Sequence, residues 1–300
     1  MLGDMGKMRR RDFLISSAAA AAAGSSTAWG QAWKSYDKEK LARIAILSLN
    51  FDSIIKTPSH PDDPKRTLDF LDFPEMVAER FGVHWVEPYH THFPSTESAY
   101  FGEFKERLRK ANSRINQISV GGFGILNMSS PSRPLRVQAV DLTKRWIDHC
   151  AELGCPRIQV NQGTLAPEVR EEATKALKAM TDHGKSKKPV VHVTLETRGD
   201  PPNWQTLVEV IKAAGAWANP DCGNFPNEEE RHAGLRVMYP MSSGSSHVHY
   251  APERWSLPDA IAISNEVGYK GLFAIEASAN NGADPYARTQ TILDALMKLI

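Results

Sequence analysis

The stretch "PLRVQAVDLTKRWIDHCAELGCPRIQVNQG" (Pro134–Gly163) decides the fold. Val137, Val140, Trp146, Ile147, Cys150 and Leu153 recur at helical spacing, and Gly154 is a natural stop for a helix. The run that follows, "RIQVNQ" (157–162), is short and rich in β-branched and strand-forming residues. A helix running straight into a strand is half of a βα repeat.

The repeat extends in both directions. Strand-like runs fall at 43–49, 83–88, 115–121, 157–162, 190–196, 215–221, 245–250 and 271–277. Helical runs lie between and after them, among them "APEVREEATKALKAMTDHG" (166–184), "LPDAIAISNEVGY" (257–269) and "PYARTQTILDALMKLI" (285–300). Strict alternation of this kind predicts a single (β/α)8 barrel over residues 40–300, the length such a barrel commonly needs. A doubly wound open sheet is the alternative. It wants a glycine-rich phosphate turn after an early strand, and "ILSLNFDSIIK" (46–56) has none. No composition shift or Gly/Ser linker divides the stretch, so one domain is expected.

Residues 1–32 read as a separate signal. "RRRDFL" (Arg9–Leu14) has paired arginines before Phe13 and Leu14, then an alanine-rich stretch and small residues near Ala28–Ala32. That is the layout of a cleavable twin-arginine export signal, which directs a folded protein to the periplasm or beyond. The apolar run falls short of the ~20 residues a spanning helix needs, so no stable membrane anchor is expected after cleavage. The formal net charge of +1, with no basic stripe, speaks against nucleic acid as a partner. Three cysteines without a CxxC pair do not make a disulfide framework; Cys150 and Cys155 read as small buried hydrophobes. A homo-oligomer is compatible with this composition.

Barrel sites form at the C-terminal ends of the strands. Here strand five ends at Glu196, six at Asp221 and eight at Glu276, while strand seven carries His247 and His249. This set of oxygen and imidazole donors suits one divalent ion: Mn²⁺, Mg²⁺, Co²⁺ or Zn²⁺. Without a cation the group is costly, because like charges repel and burial disfavours ionisation. Taken singly, each residue has a plain structural role open to it as a salt bridge, an N-cap or a core histidine. Glu87, His90, Asn161, Arg198, Asn224, Arg254 and Trp255 lie on the same rim as candidate substrate contacts, with Phe225 as a further stacking ring. His92 and His60 read as loop histidines.

Over residues 43–300 the chain resembles the sugar phosphate isomerase/epimerase superfamily of xylose-isomerase-like barrels. Ketose 3-epimerases and inosose dehydratases belong to it, as does the more distant endonuclease IV. "CPRIQVNQG", "VTLETRG", "PDCGNF", "SHVHY" and "GYKGLFAIE" carry the resemblance. It implies one metal held by Glu196, Asp221, His249 (His247 as the alternative) and Glu276, with the two glutamates handling substrate protons. The ketose 3-epimerases have a histidine three residues after the metal-binding Asp; here Asn224 stands there, and it cannot carry a proton near neutral pH.

The implied activity is isomerisation or epimerisation of a sugar by proton abstraction beside a carbonyl, through an enediolate. A lyase or dehydratase, acting by β-elimination on a keto-sugar or 3-keto-glycoside, is the alternative. A non-catalytic exported sugar-binding barrel is the rival from another class. The sequence also predicts that His249 sits level with Glu196 and Glu276, and that His247 sits one layer deeper.

Replacing Arg10 and Arg11 with lysine is expected to trap the precursor in the cytoplasm, as read by cell fractionation. Normal processing of that variant outside the cytoplasm would refute the export signal.

Overall fold

The structure, a computed structural model, describes residues 35–121, 127–197, 203–277 and 283–300. Its strands are β1 (Ile44–Leu47), β2 (Trp85–Glu87), β3 (Arg114–Ile115), β4 (Ile118–Val120), β5 (Arg157–Val160), β6 (His192–Leu195), β7 (Trp217–Ala218), β8 (Ser245–Val248) and β9 (Leu272–Ile275). A one-turn helix, Lys38–Leu41, precedes β1. The longer helices are α1 (Phe73–Phe81), α2 (Ser98–Lys110), α3 (Arg133–Leu153), α4 (Arg170–Lys185), α5 (Trp204–Ala214), α6 (Glu228–Met238), α7 (Leu257–Glu266) and α8 (Pro285–Leu299).

The sheet is parallel throughout and closes on itself. β3, β2, β1, β9 and β8 pair in that order, and β4 to β7 form a second run. Parallel bridges Tyr89↔Ser119, Ala218↔Ser242 and Asp221↔His247 join the two runs at both seams. The expected (β/α)8 barrel is therefore the fold. All eight expected strands are present, shorter than their apolar runs, with the third split into β3 and β4. Asn116 and Gln117 stand between the two, with their side chains buried in polar contacts with Glu87.

The helix–sheet layer holds most of the apolar core. Phe70, Phe73, Phe93, Phe101 and Phe104 are buried together, with Phe70 stacked on Phe104 at a centroid distance of 5.3 Å. The buried stripe of α3 is Ala139, Thr143, Trp146, Ile147, Cys150 and Leu153. Val137, expected on that stripe, is half exposed. It lies two residues before Ala139, about 200° around the helix, and so faces outward. Gly154 ends α3 in the left-handed region at φ 70°, which glycine adopts without strain. The cysteines are free and buried. Among the described residues no helix is long and apolar enough to cross a membrane.

The barrel interior is more polar. Ala45, Leu47 and Ala274 form a small apolar cluster. At the start of β5, Arg157 ties one barrel end together, with Nη2 donating to Ser243 O at 2.7 Å and Nη1 to Asn116 O at 3.1 Å.

Gly184, in the last turn of α4, lets that helix lie against the chain that enters β6. A Cβ there would sit 2.2 Å from the Val191 carbonyl oxygen. Alanine is favoured over glycine by roughly 1 kcal/mol in a free helix. Overpacking against fixed backbone costs about 1–3 kcal/mol. At 2.2 Å from a backbone oxygen the cost falls at the upper end, about 2–3 kcal/mol. Gly184→Ala is therefore expected to lower unfolding stability by a net ~1–2 kcal/mol in urea titrations. A variant as stable as the parent would refute this close packing.

Candidate metal centre

Glu196 and Glu276 follow β6 and β9 directly, Asp221 lies three residues after the end of β7, and His247 lies within β8. The chain around them is pinned. Gln162 Nε2 donates to Glu196 O at 2.7 Å. Asn50 brackets Glu276, donating to Ile275 O at 3.0 Å and accepting from Ala277 N at 2.7 Å. Asp221 turns its own loop by accepting Gly223 N at 2.7 Å and Asn224 Nδ2 at 2.8 Å.

Glu196, Asp221, His247 and Glu276 offer one ligand atom each, all within 4.8 Å of one another. His247 Nδ1 lies 2.8 Å from Glu196 Oε2 and 2.9 Å from Glu276 Oε2. His249 Nε2 lies 3.0 Å from Asp221 Oδ2 and 3.5 Å from Glu276 Oε2. The group of four thus takes His247, the alternative, where His249 was expected. The reason is the stagger of parallel strands. β8 sets Val248 opposite Ile275, which brings His249 towards Glu276, while its other edge bridges His247 to Asp221. Strand ends in such a barrel share no single level, so both histidines reach the pit.

These residues fit a divalent cation. Buried carboxyl groups face one another, and His247 Nδ1 is buried among them. Burial works against the charged form of both rings, but neighbouring carboxylates outweigh it. Glu87 and Glu196 hold the His247 imidazole well above its ordinary range, and Asp221 and Glu276 push His249 up to about 9. Protons on the rings occupy the electrostatic role a cation would take over. Glu276 and His249 keep partial exposure, 13% and 21%, while His247 and Glu196 are at 1%.

The other rim candidates are placed as follows. Glu87, expected to face substrate, is fully buried and accepts from Asn116, Gln117, Ser119 and His247. Trp255 is also a correction: it is buried, with the guanidinium of Arg231 5.6 Å and that of Arg254 4.7 Å from its ring centre. Phe225 is fully buried too. Arg254 is exposed, and Asn161 turns its amide oxygen to Gly163 N at 2.9 Å. Arg198 lies outside the described residues. His92 is no surface loop residue: it is buried, bonded to Ser48 Oγ at 2.8 Å and Asp52 Oδ1 at 3.0 Å, and ties the loops after β1 and β2. Sequence reading missed Asn50, Asn116, Gln117 and Gln162. The signal for two of them was a polar pair inside the strand-like run "INQISVG" (115–121).

A closed parallel barrel with a buried Glu/Asp/His/Glu group at its strand ends defines the class. The chain belongs to the xylose isomerase-like TIM barrel family, whose model matches residues 76–275. Among solved structures it is similar to D-psicose 3-epimerase with D-tagatose from Clostridium cellulolyticum H10, at 16% identity and TM-score 0.69, covering 86% of this chain and 99% of that one. It is also similar to an L-ribulose 3-epimerase (13%, TM-score 0.67, 86% and 95%). A probable 3-DHS dehydratase from Bacillus anthracis is a further likeness (14%, TM-score 0.59, 85% and 97%). At these identities the likeness concerns the fold. No curated protein matches the sequence.

His90, in the turn after β2, lies edge-on to Trp146 at 5.5 Å, and burial together with the charge of His92 pushes its pKa down to about 4. The unfolded chain takes up this proton near pH 6.5, before the folded chain does. Stability is therefore complete above pH 6.5 and falls as pH drops towards 4, by roughly 2–3 kcal/mol. In His90→Phe that part of the decline is expected to vanish in denaturant titrations run across this window. Parallel pH profiles for the two proteins would count against it.

Proposed function

We propose that this barrel is a divalent-metal-dependent sugar isomerase or epimerase, moving a proton next to a substrate carbonyl. One observation carries the reading: four metal-type ligands converge within 4.8 Å at the strand ends, and one of them, Glu276, keeps an open side. A bound divalent cation supplies Lewis acidity towards a carbonyl and its neighbouring hydroxyl. Glu196, Asp221, His247 and Glu276 would hold it. Glu276, on the open side, takes the α-proton. Glu196, buried and 3.4 Å from Asn219 Nδ2, is the second carboxylate through which a proton returns. Asn224, tied to Asp221, shapes the pit and moves no proton.

The sugar class draws support from similar structures of 3-epimerases studied with D-tagatose, D-fructose and D-allulose. The exported setting read from Arg10 and Arg11 favours a free sugar or oxidised glycoside over a phosphorylated one. A lyase is the second reading. Only one of the two glutamates is open, and it stands beside His249; an acid–base pair on one side suits loss of a β-oxygen.

The test combines metal analysis with proton exchange in D₂O against ketoses and 3-keto-glycosides. About one divalent ion per chain is expected, with deuterium entering beside the carbonyl, and Glu276→Gln is expected to slow exchange by at least ~100-fold. A deuterated diastereomer supports the epimerase; release of water or aglycone supports the lyase. Metal-dependent sugar binding without exchange would make the barrel a binding protein. Full activity in metal-free protein would sink the scheme.

A further inference from the structure

Glu87 ends β2 beneath the pit, fully buried. Its carboxylate accepts Asn116 Nδ2 at 2.9 Å, Gln117 Nε2 at 3.0 Å and Ser119 Oγ at 2.8 Å. Neither amide is free to turn over. Gln117 Oε1 is occupied by the Thr194 hydroxyl at 2.7 Å, and Asn116 Oδ1 by Arg157 Nη1 at 3.2 Å. A reversed amide would lose that bond and set a carbonyl against the carboxylate. Three fixed donors therefore seat Glu87 independently of the metal ligands.

The fourth partner is His247 Nε2, 2.7 Å from Glu87 Oε1. A carboxylate only accepts, so His247 presents N–H at Nε2. In the neutral ring the lone pair then lies on Nδ1. That is the atom aimed between Glu196 and Glu276, 2.8 Å and 2.9 Å from their carboxylate oxygens. The geometry points to Glu87 as a positioning residue, which fixes the tautomer and ring angle of His247 so that Nδ1 is the atom offered to a divalent cation. This rests on the metal-binding reading above.

The test uses the full chain and Mn²⁺ alone, titrated by calorimetry, with histidine ¹⁵N spectra of the Zn²⁺-loaded protein. In the wild type, His247 is expected to carry its proton on Nε2 and bind through Nδ1. Glu87→Met keeps the length but removes the acceptor for Nε2, so nothing holds the proton on that nitrogen. That variant is expected to bind Mn²⁺ about 10–100-fold more weakly and to lose the Nδ1-bound signal. Should it not fold, Ser119→Ala removes one fixed donor and leaves the carboxylate, and a smaller loss of Mn²⁺ affinity is expected. A purely structural Glu87 would lower the unfolding temperature while leaving the folded protein's affinity and tautomer as they were, and that result overturns the inference. So does a wild type bound through Nε2. A wild type that binds no divalent ion takes down the metal reading itself; a wild type that binds, with an unaltered Glu87→Met, overturns only the role of Glu87.

Discussion

Four carboxyl groups, those of Glu87, Glu196, Asp221 and Glu276, are brought within reach of two imidazoles in one pit of the barrel. Burying like charges is the most expensive thing this fold does, and the surrounding structure answers it. His247 alone touches three of the four carboxyls, at 2.7, 2.8 and 2.9 Å. Around the pit, positions that would hold Val or Ile in an ordinary barrel interior hold Asn116, Gln117, Ser119, Thr194 and Ser245 instead. Each is hydrogen-bonded, which turns a penalty into a fixed framework.

That choice shifts the hydrophobic work outward. With the interior partly polar, the layer between sheet and helices must supply most of the burial. The phenylalanines around Phe70 and the stripe of α3 are fully or nearly fully buried there. The break between β3 and β4 is the local expression of the same trade. Between the two strands, the side-chain amides of Asn116 and Gln117 serve Glu87. Backbone bonds such as Asn116 N to Val86 O at 2.8 Å and Ser119 N to Pro88 O at 2.9 Å keep the strand in place.

The fold was legible because periodicity is a local property. A 3.6-residue stripe ending on Gly154 and a short run from Arg157 mean helix and strand wherever the chain goes. The strand-end acids Glu196, Asp221 and Glu276 were legible for the same reason, since barrel topology brings strand ends together. Depth was not legible. Whether His247 or His249 meets the carboxyls depends on the stagger between β7, β8 and β9, which no single strand encodes. Nor does a strand-end Glu announce whether it turns up into solvent or down into the barrel. Glu87 was read as a rim residue, and only its neighbours on β3 and β4 show that it points inward. Trp255 misled in the same way: an aromatic after a site strand reads as a platform, but Arg231, itself fully buried, covers one approach to it.

The two histidines of "SSHVHY" thus divide the pit into a closed wall and an open one. His247 is held from behind by Glu87 and meets Glu196, both out of contact with solvent. His249 is held by the buried Asp221 and faces Glu276, and His249 and Glu276 are partly exposed. Gly223 stands close under the His249 ring, where a Cβ would come within 3.0 Å of it, so that wall has no room for a side chain. A strand delivers residues two apart to the same face, which is why one segment can furnish both walls. The closed wall can be rigid because its partners are fixed by amides and an arginine. The open wall, with its partly exposed carboxylate and imidazole, is the side of the pit that meets solvent.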